Sequence, residues 1–220
     1  MNLRKLMPLS GLAFIALLAA AFILGSSTPD PHASAHGVAS FYDAHSAREI
    51  AAAFSLACAV PFFVLFAVAF MAPSWSARGD GVPVWQVFIA VGSAVTGAAI
   101  LLGATVHFAL ADGAGHVSGA ALQALNLIDG DIWMAFNPAL GLTMLGAAGL
   151  LLSDTVGHRR LGWCAMVLGI ALFIPFVDFF ALLATGVWII TASLVMSRQP
   201  TTTRPAAATP YAQPSPAPHA

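Results

Sequence analysis

Residues 161–196 read LGWCAMVLGIALFIPFVDFFALLATGVWIITASLVM, 36 residues whose single charge is Asp178. As one helix this stretch would be about 54 Å long at 1.5 Å per residue. That exceeds the ~40–45 Å of a whole bilayer with its headgroups. Its centre, Ile174-Pro175-Phe176-Val177-Asp178, sets a proline beside a charge and reads as a tight turn. Two helices are therefore expected, over 161–176 and 179–196, each slightly short and accommodated by flanking residues or a locally thinned bilayer. A single kinked helix is the competing reading.

Working outward, four further runs meet the length of about 20 apolar residues that ~30 Å of hydrocarbon requires: 7–24, 50–72, 84–110 and 132–152. Backbone amides find no water in hydrocarbon, so such runs must be helical. Composition agrees. The chain is 59% hydrophobic and 8% charged, with a mean hydropathy of +0.86, where soluble domains are typically about 25% charged. Lipid must solvate much of the surface. The expected fold class is an all-α polytopic membrane bundle of six transmembrane helices over residues 1–198, with five as the alternative.

Charge favours six. Cytoplasmic loops collect Lys and Arg. With the N-terminus inside and six crossings, Arg4, Lys5, Arg78, Arg159, Arg160, Arg198 and Arg204 all face the cytoplasm, and only Arg48 lies outside. Five crossings would move Arg198 and Arg204 out. Both termini are thus expected in the cytoplasm. Acidic residues gather on the outer side: Asp30, Asp43, Glu49, Asp112, Asp129, Asp131 and Asp178, against Asp80 and Asp154 inside. Trp85, Trp163 and Trp133 fall at helix ends, where interfacial tryptophan anchors. Trp75 lies in an inner loop, and Trp188 alone falls mid-span. Arg4 and Lys5 before the first apolar run also fit a secretory signal, with cleavage sites near Gly25-Ser26-Ser27 or Ala33-Ser34-Ala35. The run is long for that purpose, and a retained helix is the preferred reading. The excess of Arg over Lys and the abundant Ala suggest a high-GC bacterial genome, so the expected location is the bacterial inner membrane.

The outer segment 26–48, polar and bearing Pro29, Pro31, His32, His36 and His45, reads as a loop. Within 111–131, Leu122, Leu125 and Ile128 recur at helical spacing behind Ser118, as for a short interfacial helix with a serine cap. Residues 199–220 hold six prolines among Thr, Ala and Gln, and are expected to form a disordered, partly polyproline II cytoplasmic tail. Ser93/Gly97, Ala99/Gly103 and Ala165/Gly169 are small pairs at the spacing that lets helices approach in lipid. Pro61 and Pro138 should bend their helices. Cys58 and Cys164 read as small buried apolar side chains.

Few residues remain for chemistry. An ionisable group within the membrane is a functional candidate by default. His107, Asn137 and Asp178 should all lie in the outer part of the bilayer and could share a polar pocket. His32, His36, His45 and His116 with the outer carboxylates form a possible zinc or copper set, though nothing in their spacing fixes a geometry. Two mid-membrane histidines for haem, a GxSxG, an HExxH and a Walker motif are all lacking from the sequence. Catalytic residues, cofactors and a dedicated metal site are therefore not expected. The net charge of −1 excludes a basic patch for nucleic acid.

Leu161-Gly162-Trp163 after Arg159-Arg160, then Gly169, Pro175, Trp188 and the closing Ser193-Leu-Val-Met-Ser-Arg198, resemble the C-terminal hairpin of small bacterial membrane proteins of the DUF4386-like kind and their actinobacterial relatives. Phe41-Tyr42 before the second run and Ala124-Leu125-Asn126 before the fourth fit the same resemblance. It implies a six-helix integral membrane fold and brings no established activity or site. The leading functional expectation is a non-enzymatic multi-pass membrane protein, a scaffold acting through the lipid bilayer, a membrane protein partner or a second copy of itself. A small transporter or permease-like carrier competes, followed by an envelope metal-binding protein using the outer histidines.

Overall fold

The structure, a computed structural model, describes residues 6–71, 83–153 and 158–198. Arg4, Lys5, Trp75, Arg78, Asp80, Asp154, Arg204 and the proline-rich segment 199–220 lie outside the described residues. A 3-10 turn at Met7–Leu9 leads into α1 (Ser10–Leu24), followed by α2 (Ala35–Met71), α3 (Val84–Gly113), α4 (Gly119–Asp131), α5 (Trp133–Leu152), α6 (Arg159–Ala171) and α7 (Asp178–Ser197). Every regular element among the described residues is helical. Five runs are long and apolar enough to cross a membrane: Met7–Leu24, Ala35–Met71, Val84–Gly113, Gly119–Leu152 and Asp178–Ser197.

The helices pack in a closed circuit, α1 on α2, α2 on α3, α3 on α5, α5 on α6, α6 on α7, and α7 back on α1. Phe63, Phe66, Phe70, Ile89, Met144 and Trp188 fill its centre. Trp188, the mid-span tryptophan, lies tilted against Phe70 with ring centroids 5.6 Å apart and donates from Nε1 to the Leu161 carbonyl at 3.0 Å. Its polar atom is thereby paired inside the bundle. The outer surface is apolar in turn, with Leu102, Val167, Phe180 and Val187 all exposed. An apolar belt of this extent is foreign to a water-facing monomer.

Glycines set the closest helix approaches. A Cβ at Gly92 would meet the Thr143 backbone nitrogen at 2.6 Å, and one at Gly146 would meet the Trp85 carbonyl oxygen at 2.8 Å. The Trp85 ring occupies the space beside Gly149. These fix the α3–α5 seam. Gly141 and Gly169 do the same for α5 and α6, where each added Cβ would lie about 3 Å from the other's carbonyl oxygen. Of the small pairs expected from the sequence, only Ala165/Gly169 belongs to such a crossing.

Four expectations need correction. The segment 26–48 is not all loop: α2 begins at Ala35, fifteen residues ahead of its apolar run, capped by Ser34, whose Oγ accepts from the Gly37 amide. Val38 and Tyr42 are fully buried one turn apart and pack on Leu110, Ala111 and Leu122, so tertiary burial extends a helix that polarity on its other faces concealed. The helix expected over 161–176 ends at Ala171. The Phe173 and Ile174 amides tighten to i−3 carbonyls, and Phe176 takes a left-handed φ of 70°. Pro175 disfavours helical geometry in its predecessor, which accounts for the early stop. The run 84–110 continues to Gly113. Cys58 and Cys164 are exposed rather than buried, since lipid solvates apolar side chains as well as a protein core does.

The candidate site depends on α4. Ser118 caps it, accepting from the Ala121 amide at 3.3 Å. Leu122 is buried against α2 and α3, whereas Ile128 is exposed. Gln123 and Asn126 donate to the Ala33 and Asp30 carbonyls at 3.0 and 2.9 Å, tying the 25–34 segment across the end of the bundle.

Candidate functional site: a charged cluster and the cavity beside it

The site begins with Glu49, the last residue before the long apolar run of α2. Its side chain is fully buried. An isolated carboxylate in that position would cost several kcal/mol, so its partners decide whether the helix packs at all. Arg48, its chain neighbour, donates from Nε and Nη2 to Glu49 Oε1 at 2.9 and 2.7 Å. Nη2 also donates to Ser27 Oγ at 2.8 Å, and the guanidinium lies over the Phe41 ring. The second carboxylate oxygen, Oε2, stands 3.0 Å from His107 Nε2 on α3.

His107 is bracketed. Its other nitrogen, Nδ1, lies 3.0 Å from Asp129 Oδ2 on α4. Only a ring with a proton on each nitrogen donates to both carboxylates at once. In that form Arg48 and His107 balance Glu49 and Asp129, and the four charges sum to zero inside the fold. The two carboxylates face opposite edges of the imidazole and do not converge on a shared metal ion. The Tyr42 ring meets His107 edge-on at 6.1 Å between centroids. The Tyr42 hydroxyl is buried with no hydrogen-bond partner among the described residues.

Beside this cluster is a cavity of about 230 Å³. Its apolar wall comes from α1, α2, α3 and α5, with Leu18, Leu56, Ile100 and Phe136 among the contributors, and its polar end is made by His107, Asn126 and Asp129. Phe22 and Trp133, both partly exposed, stack at its rim with centroids 5.8 Å apart and planes 12° from parallel. Pro31 of the 25–34 segment packs so closely on Gly130 that a Cβ there would come within 2.6 Å of it.

The three residues expected to share one polar pocket fall into two groups. His107 lines the cavity and binds Glu49 and Asp129. Asn137 and Asp178 pair with each other instead, Nδ2 donating to Oδ2 at 2.8 Å, and neither lines that cavity. Asp178 Oδ1 accepts from the Phe179 amide at the start of α7. Asn137 Oδ1 is buried without a partner among the described residues. The other histidines stand apart: His32 lies near Asp30, His45 near the Phe41 carbonyl and His116 near the Ala114 carbonyl. Among the described residues no three His, Cys, Asp or Glu side chains are grouped to hold a metal ion.

Sequence reasoning passed over Glu49, Arg48 and Asp129 because each was accounted for by sidedness. One signal was present. A histidine inside an apolar run needs a charged partner, and Arg48-Glu49 is the charged pair that abuts the start of the neighbouring run. Compared with protein-family models, curated proteins and solved structures, the chain matches none of them.

Proposed function

We propose that the protein is a multi-pass membrane protein of the bacterial inner membrane that binds a small, mainly apolar molecule in the cavity beside His107, without altering it covalently. In this reading the chain crosses the bilayer six times, both termini are cytoplasmic, and the cavity lies in the outer leaflet. The sidedness of Lys and Arg supports that orientation. The fifth crossing is the demanding one, since α6 has 13 residues and spans only about 20 Å. Exposed apolar residues in the following turn, Phe173, Ile174 and Phe176, extend its greasy length, and local thinning of the bilayer supplies the rest. The six-helix resemblance points the same way.

The observation that carries the binding role is the cavity itself: an apolar wall, an aromatic rim and a few polar atoms at one end, the usual make-up of a ligand site. At about 230 Å³ it falls below the ~300–1,000 Å³ of pockets that enclose drug-sized ligands. A small ligand, or the head of a chain whose remainder lies in lipid, matches that size. Among the functional expectations, this favours the carrier class over a scaffold.

The test uses purified full-length protein in nanodiscs titrated with 6-bromohexanol, whose bromine quenches tryptophan. Quenching should saturate, shrink in Trp133→Phe, and in Ala99→Phe, which fills the cavity from α3, fall to the non-saturating background of partition into lipid. Linear, non-saturating quenching that is equal in all three proteins would overturn the binding role. For topology, a reporter active only in the cytoplasm should work when fused after Arg198, and its inactivity there would contradict six crossings.

A further inference from the structure

Resting on the binding role just proposed, we infer that the cavity selects a small lipophilic ammonium cation, and discriminates against anions of the same shape. The argument is an inventory of donors and acceptors at the polar end. Both nitrogens of His107 are committed to Glu49 and Asp129, so this ring has no N–H to offer a ligand. Arg48 points Nε and Nη2 at Glu49 and Ser27 and does not line the cavity. Two acceptor oxygens remain beside them. Asp129 uses Oδ2 for His107, while its Oδ1 has no hydrogen bond from any described residue. Its side chain is 21% exposed, which leaves it within reach of an occupant.

Asn126 repeats the pattern independently. It is 3% exposed, lines the same cavity, and donates one of its two amide N–H groups to the Asp30 carbonyl. Its Oδ1 has no donor among the described residues. Unlike the sealed Asn137 oxygen it is not closed off from solvent, so it can accept from an occupant of the cavity. The other neutral groups able to donate, the Thr28 hydroxyl and the Trp133 indole, sit at the more exposed rim. Phe22, Trp133 and Phe136 add ring faces that attract a cation within about 6 Å. An ammonium group offers three donors and one positive charge to this acceptor-rich end, while its apolar part meets Leu18, Leu56 and Ile100. A carboxylate or sulfate would bring its negative charge and its oxygens against Asp129 Oδ1, with only the remaining Asn126 N–H and the rim donors to meet it.

Size narrows the class further. About 230 Å³ accommodates roughly eight water-sized groups at ~30 Å³ each, so a six-carbon amine fits whole. The experiment is isothermal titration of the full chain in nanodiscs with hexylammonium, hexanol and hexanoate at pH 7. The cavity-filled Ala99→Phe protein gives the background of partition into lipid. Hexylammonium should bind at least tenfold tighter than hexanoate, with hexanol between them. Asp129→Asn should reduce the ammonium-to-hexanol ratio at least fivefold and leave hexanol within twofold. Hexanoate binding as tightly as hexylammonium overturns the selectivity while leaving the cavity role standing. Saturable binding of none of the three overturns both. The series on the unaltered protein decides the matter even if the Asp129 variant fails to fold. Asn126→Leu gives a second readout, since removing one acceptor should weaken both hexylammonium and hexanol.

Discussion

The middle of the bundle and the end capped by α4 are held together by different forces. Around Phe63, Phe66, Phe70 and Trp188 the helices close by apolar contact and by glycines that bring backbones together. Around Glu49, His107 and Asp129 they close by charge, and a cavity is left beside the join. Close packing excludes empty space, because every void forfeits dispersion contacts. Paired charges need no such fit. They hold α2, α3 and α4 at fixed distances and tolerate a hollow next to them. The difference places the cavity of the proposed binding role at the charge-held end.

That contrast can be broken at several points. Glu49→Ala should have the largest effect, since it strands Arg48 and His107 near a buried join. Removing one partner of a buried pair costs about 3–5 kcal/mol. Denaturant unfolding in detergent micelles checks this, and a loss below about 1 kcal/mol would mean that water already solvates the cluster. In the packed half, Gly146→Val drives a branched side chain into the Trp85 carbonyl and Ile89 amide. Overpacking of this kind costs about 1–3 kcal/mol. It should lower the melting temperature while the fraction of surviving protein keeps its cavity ligand.

Asn137→Ala sharpens the comparison from a third place, because it deprives Asp178 of its donor across α5 and α7. One such bond contributes about 1 kcal/mol, and the change should leave the 6-bromohexanol quench untouched, since Asn137 does not line the cavity. The smallest effect is expected for Ser118→Ala. Losing this exposed cap costs about 0.5–1 kcal/mol. Hydrogen exchange should report it as faster exchange confined to the first turn of α4.

Much of this was legible in the sequence, and unevenly so. Apolar length located the starts of α3 and α5, and Ser118 with Leu122 announced α4 and its cap. Pro175 beside Asp178 marked the break between α6 and α7. Those features are local, so the chain displays them without its partners. The early start of α2 was hidden because only Val38 and Tyr42 on one face are buried, while histidines and Asp43 occupy the others. Among the site residues, His107 was visible as a lone ionisable group in an apolar run. Glu49 and Asp129 were not, because 58 and 22 residues of chain separate them from His107. The pairing exists only once α2, α3 and α4 are side by side. Asn137 and Asp178 were seen as polar but not as partners of each other, for the same reason.

Bromine offers a direct view of the central claim that the charge-held end admits a small molecule. Crystals of the full chain grown from a lipid phase and soaked with 6-bromohexanol would locate it by anomalous scattering. The account predicts a bromine peak enclosed by Leu18, Ile100 and Phe136, with the alcohol directed toward Asp129 and Asn126. Bromine found only along the lipid-facing surface, with the cavity beside His107 holding none, would contradict it.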